Sequence, residues 1–178
     1  MPLHSQFSLL AQYNQLMNQR QYEAASLLSH QDLNKDYGAF FQSVLGTLNH
    51  LMVGDLVWLK RFSTHPSSSQ TLEYFSNLEK PKSLHTLIFD DFEQLRKERK
   101  RIDELIINWV DGLSEADLQT SLQYNDMAGN PYHKSFGSLI HHLFLHQVHH
   151  RGQVTTLLSQ FGVGFGETDI LEILPESM

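Results

Sequence analysis

Residues His141 to Gln153 read HHLFLHQVHHRGQ, and five of the first ten are histidine. On a helical wheel at about 100° per residue, Leu139, Leu143, His146, His150, Val154, Leu157 and Phe161 share one face. His146 and His150 lie near its centre, His142 and His149 fall at its edge, and His141 points nearly the other way. This periodicity predicts a long helix from about Ser135 to Phe161, stopped by Gly162. His146 and His150 are one turn apart, the spacing at which two side chains can grip one ion. A single histidine on an apolar face is more often a satisfied core residue. Two central ones are different, because each buried imidazole needs partners for both nitrogens, and a shared metal serves one nitrogen of each ring.

Working outward, helical periodicity dominates. Phe7, Leu10, Tyr13, Leu16 and Met17 predict a first helix from about Gln6 to Leu28 with Ser5 as its N-cap. After the break SHQDLNKD, a second helix is expected from near Asp36 to about Phe62, closed by His65-Pro66. A short helix is expected around Leu72 to Leu78. A third long helix, capped by Ser83, carries the stripe Leu84, Ile88, Phe92, Leu95, Ile102, Leu105, Ile106 and Trp109 and ends at Gly112. Its charge run RKERKR (Arg96 to Arg101) reads as a solvated face. In SLQYNDMAGNPYHKSF (Ser121 to Phe136), β-formers flank a Gly-Asn-Pro turn signal, which predicts a small hairpin before the last helix. The expectation is an all-α fold, a helical bundle forming a single domain over residues 1–178.

Composition narrows the function. There is no cysteine, which excludes disulfides, thiolate metal sites and cysteine nucleophiles and fits a cytoplasmic protein. MPLHSQFSLLAQYNQ lacks the features of a signal peptide, and no apolar run approaches the ~20 residues of a membrane span. A formal net charge of −7 argues against nucleic acid as partner. A small-molecule substrate is expected instead. Phe144, Leu145 and Val148 form a second apolar set opposite the histidine pair, and the bulky residues of the second helix cover more than half its circumference. Helices apolar on both sides are buried on both sides, so a homodimer is expected; the alternative is that the hairpin or the tail covers these residues.

A metal needs at least a third ligand. His50 shares a stripe with Ser43, Gly46, Thr47 and Gly54, and these small residues fit either a solvent face or a pocket wall. Asp55 falls among apolar residues, near Leu48, Leu51 and Trp58. A carboxylate there must be paired, either with the second nitrogen of a ligand histidine or with Arg151.

These residues carry a resemblance. NHLMVGDLVWLKRF resembles the N-H-x-x-x-x-D-x-x-W signature of the DinB-like family (the DinB/YfiT superfamily). HQVHHRGQVTTLLSQFG is similar to the H-x-x-H-H-R-G-Q segment of that family's last helix, and YNQLMNQR to its Y-N-x-x-x-N start. The resemblance implies a four-helix bundle in up-down-down-up order and a divalent metal, zinc or nickel, held by His50, His146 and His150. It also implies a dimer and, in several relatives, transfer or isomerisation chemistry with a low-molecular-weight thiol. Three neutral imidazoles leave a metal its full charge and open positions, the pattern of a catalytic site. Bound water would be acidified there and a bound thiol ionised. The sequence therefore points to a metal-dependent enzyme acting on small molecules, a thiol S-transferase first. A metal-dependent hydrolase and a non-catalytic binding module are the alternatives. Asp55 and Arg151 are expected to support the ligands from behind.

Overall fold

The structure, a computed structural model, describes residues 1–174. Four long helices build it: α1 (Leu3–Ala25), α3 (Val44–Phe62), α5 (Phe92–Asp111) and α7 (Phe136–Gln160). Between them lie three short helices, α2 (His30–Asn34), α4 (Glu73–Ser76) and α6 (Glu115–Leu118), and a hairpin of β1 (Ser121–Asn125) and β2 (Pro131–Ser135). A short 3-10 turn, Ile170–Ile173, follows α7. The hairpin strands pair antiparallel from Ser121 opposite Ser135 to Asn125 opposite Pro131. No helix among the described residues is long and apolar enough to cross a membrane.

Side-chain contacts fix the directions. Ser8 hydrogen-bonds Asp111 and the backbone of Leu3 meets Glu115, so α1 starts where α5 ends and the two run antiparallel. Phe7 stacks on Phe144 while Asn14 meets Arg151, so α1 and α7 run parallel. His50 faces His150 and Phe62 faces Phe136, which makes α3 antiparallel to α7. Asp55 meets Arg99 and Phe62 stacks on Trp109, which makes α3 parallel to α5. The order is up-down-down-up, as the family resemblance implies.

Several boundaries differ from the sequence reading. The first helix begins at Leu3 after Pro2, and Ser5 lies inside it rather than capping it. The second long helix begins at Val44, capped by Ser43. Residues 36–43 instead fold back as a loop, tied by Tyr37 N to Gln42 O and passing Gln42 at a φ of 67°. The third begins at Phe92, capped by Asp91, and not at Ser83. The cause is Asn49. Its Oδ1 accepts from the backbone N–H groups of Ile88 (2.8 Å) and Phe89 (3.0 Å), and its Nδ2 donates to Phe89 O (2.9 Å). A side chain that captures these backbone groups holds the segment in a non-helical path.

The core is not purely apolar. Arg99, inside the charge run read as solvated, is buried and pairs with Asp55 on α3 and with Asp103 one turn along α5, the latter at 2.9 Å. Gln147 of α7 donates to the other oxygen of Asp55 at 2.6 Å. Asn18 of α1 donates to Asp103 at 2.9 Å, and Asn14 accepts from Arg151 at 2.7 Å. Burial disfavours the Arg99 charge, but Asp103 and Asp55 outweigh it and hold the guanidinium firmly protonated. All four long helices thus contribute to one buried polar network. Removing one member of a buried ion pair strands its partner and typically costs about 3–5 kcal/mol. Arg99→Met is therefore expected to lower unfolding stability by about that amount, read as a shifted urea midpoint, with the exposed control Lys97→Met nearly neutral.

Candidate metal centre

His50, His146 and His150 converge where α3 and α7 face each other, each offering a ring nitrogen such that all three atoms lie within 4.8 Å of one another. By residue exposure His50 is buried and the other two are partly buried. The Nδ1 of His50 lies 3.0 Å from the carbonyl oxygen of Leu84, and the Nδ1 of His150 lies 2.8 Å from Oε1 of Gln153. Both oxygens only accept, so both Nδ1 atoms carry the proton and both Nε2 atoms present lone pairs. Those two Nε2 atoms are 3.0 Å apart. Facing lone pairs repel unless a cation lies between them. The Nδ1 of His146 is buried with no hydrogen-bond partner among the described residues. This donor set fits a divalent metal: three neutral imidazoles that converge, two of them fixed from behind.

The small residues beside His50 now have reasons. Ser43 caps α3. A Cβ at Gly46 would sit 2.2 Å from the carbonyl oxygen of Phe41, so Gly46 admits the loop that lays Phe41 flat on His50, ring centroids 3.7 Å apart. A Cβ at Gly54 would sit 2.5 Å from Cε1 of His146. Glycine there is the space in which that ring stands.

A cleft of about 780 Å³ opens over the histidines, walled by Phe40, Phe41, Val57, Trp58 and Met127, with Arg61 and Asp126 as its charged members. His142 and His149 line it too. The His142 ring packs edge-on against Trp58 at 5.0 Å, and its centroid stands 6.2 Å from that of His146. Neither belongs to the converging group.

A family model described as the DinB family matches residues 1–175. The chain belongs to the DinB family. Protein DinB of Bacillus subtilis (strain 168) is 23% identical over 160 residues, covering 90% of this chain and 88% of that protein. No solved structure matches the chain.

The DinB-like sequence segments divide between two structures. In the α3 segment Asn49 pins residues 88–89, His50 joins the histidine group, Asp55 enters the buried network and Trp58 walls the cleft. In the α7 segment His146 and His150 face the cleft, Arg151 reaches α1 and Gln153 holds His150. In the α1 segment Tyr13 lies under Arg151, its ring centroid 5.1 Å from the guanidinium carbon, and Asn14 and Asn18 reach Asp103. Asp55 touches neither one of the three histidines nor Arg151; its partners are Arg99 and Gln147. Arg151 likewise bonds Asn14 rather than one of the three histidines. The groups that do hold the rings are Leu84 O, Gln153 and Phe41. A backbone carbonyl leaves no mark in the sequence, while Gln153, three residues after His150, was within reach of helical-spacing arguments.

Burial lowers the affinity of these histidines for protons. His50 is pushed down to about 4 by desolvation, partly offset by its Leu84 bond. His146 is pushed down to about 3 by desolvation and by the neighbouring imidazoles, and desolvation lowers His150 as well. An unfolded histidine titrates near 6.5. In metal-free protein, the unfolded chain therefore gains protons below about pH 6.5 that the folded chain refuses until about pH 4, so stability falls across that window as pH falls. Asp103 opposes this: burial raises its carboxyl to about 6 against the pull of Arg99, so its protonation favours the folded chain. Three histidines outweigh one carboxyl. Urea midpoints measured in chelator should be lower at pH 5 than at pH 7, and His146→Leu should narrow the difference.

Proposed function

We propose that His50, His146 and His150 hold one divalent metal ion, zinc or nickel, and that the cleft above them belongs to an enzyme transferring a low-molecular-weight thiol to an electrophilic small molecule. The observation that carries this reading is the pair of Nε2 atoms 3.0 Å apart, both stripped of protons by their Nδ1 partners, at the wall of an open cleft. A divalent ion held there supplies Lewis acidity, which favours the ionised form of a coordinated thiol or water. The chain's own part is to keep the three rings neutral by burial, to orient His50 and His150 through Leu84, Gln153 and Phe41, to leave room for His146 at Gly54, and to surround the reacting groups with apolar walls.

The lining favours thiol transfer over hydrolysis. Hydrolysis profits from a carboxylate placed to move protons. Among the described residues the cleft's one carboxylate, Asp126, is engaged by Asn130 and Ala128, and Asp55 is turned to Arg99 and Gln147. Thiol transfer needs only an activated sulfur and a binding surface. The proposed setting is the cytoplasm, where such thiols stay reduced.

The test is metal analysis of protein purified without a histidine tag, followed by turnover assays. One metal ion per chain is expected. His50→Ala, His146→Ala and His150→Ala should lose it, while His141→Ala should keep it. Gly54→Ala should fold yet bind metal at least about tenfold more weakly, because its Cβ takes the space of the His146 ring. Electrophiles should be consumed only with metal and thiol together. Metal-dependent ester or amide cleavage without thiol would favour the hydrolase, and silence in both screens a binding module.

We also propose a homodimer, on a narrower surface than the sequence suggests. Phe144 is covered by Phe7 within the chain, and the bulky residues of α3 are buried by the bundle. Leu145 and Val148 remain 56% and 44% exposed on α7, and they support the dimer. Sedimentation at micromolar concentration should show a dimer, converted by Val148→Glu to a monomer that keeps its metal; a wild-type monomer would rule the dimer out.

A further inference from the structure

Arg61 is a permanent cation inside the histidine cleft, and among the described residues no carboxylate pairs with it directly; Asp126 acts on its charge only from a distance. Gly54, Val57, Trp58 and Arg61 follow at helical spacing, so one stripe of α3 runs along the cleft from the His146 ring outward. The Arg61 guanidinium carbon lies 4.6 Å from the Trp58 ring centroid and 5.0 Å from that of Tyr124. Among the described residues it makes no ion pair and no hydrogen bond. The two charged residues nearest to it in the chain and in the cleft are engaged elsewhere. Lys60 donates to the carbonyl oxygens of Ser76 and Leu78 at 2.7 and 2.5 Å. Asp126, the cleft's other charged residue, accepts from the backbone N–H groups of Ala128 (2.8 Å) and Asn130 (2.9 Å) and from the Asn130 amide (2.9 Å). Burial already disfavours the Arg61 charge, which makes an unpaired guanidinium more expensive here than on open surface.

A planar guanidinium with its face against aromatic rings keeps its edge donors for a ligand, and that edge matches a carboxylate with two parallel hydrogen bonds. Seven residues separate Gly54, opposite His146, from Arg61, which is about 10 Å along a helix. Val57 and Trp58 provide an apolar floor between the two ends. We infer that the cleft selects a small molecule bearing a carboxylate, which docks on Arg61 while the apolar body lies along Trp58 and the reactive end reaches the histidine group. This assignment of substrate class rests on the reading of that group as the metal centre.

The two ideas are separable by calorimetry. Zinc-loaded protein is titrated with straight-chain thiol carboxylates of increasing length and with the corresponding primary amides. The acid should bind at least about tenfold tighter than its amide, with the preference greatest for chains spanning about 10 Å. Arg61→Gln should abolish the acid-over-amide preference while leaving zinc content and amide affinity unchanged. Arg61→Lys keeps the charge but not the planar fork, so it should retain only part of the preference. Equal binding of acid and amide by the wild type, or an undiminished preference in Arg61→Gln, would overturn the inference. Should Arg61→Gln fail to fold, an undiminished preference in Arg61→Lys would do the same. Zinc content, measured first, judges the metal reading by itself. The acid-to-amide ratio repeated on zinc-free protein then judges Arg61 by itself.

Discussion

Arg99 carries a full positive charge into the middle of the bundle, and the helices are arranged around the need to answer it. Asp55 answers from α3 and Asp103 from α5 itself; Asn18 and Gln147 complete the two carboxylates from α1 and α7. Apolar packing alone tolerates sliding and rotation, because one leucine contact resembles another. A buried charge does not, since a shift of one residue along any helix leaves an ion or an amide without its partner. The network stands beside the histidine group in sequence: Gln147 follows His146, Arg151 follows His150, and Asp55 follows Gly54. The register that satisfies the core therefore also sets which way the three rings point.

On the other side of the rings the hold is of a different kind. Leu84 O, Phe41 and Gln153 grip His50 and His150, and two of these three come from segments outside the long helices. Asn49 secures one such segment by occupying three backbone groups of residues 88–89. The residue next to His50 thus positions the strap that orients His50.

The sequence exposes the parts of this design that repeat with a helical period. His146 and His150 are legible because five apolar residues share their helical stripe, and the hairpin is legible from its turn residues. His50 is not legible from periodicity, because its small neighbours serve three unrelated purposes: a cap, a loop crossing and room for a ring. The resemblance to a known family, not the pattern, selects it. Arg99 is hidden for the opposite reason. Within RKERKR every residue is charged, so no periodicity distinguishes the inward one, and its partner Asp55 is 44 positions away. The start of α5 is misplaced from Ser83 because leucine and isoleucine at helical spacing look alike whether or not a distant asparagine has claimed the backbone.

The walls of the cleft and the frame beneath it answer to different constraints. Of the cleft walls, Phe40 and Met127 come from loops and hold none of the three rings, whereas Asp55, Arg99, Asp103, Gln147 and Arg151 all lie within long helices. Exchanging a loop residue for one of another shape changes what the cleft admits without asking any helix to move. The bundle thereby separates chassis from tooling: loop positions such as Phe40 and Met127 shape the opening, while the charged frame keeps the histidine group in place.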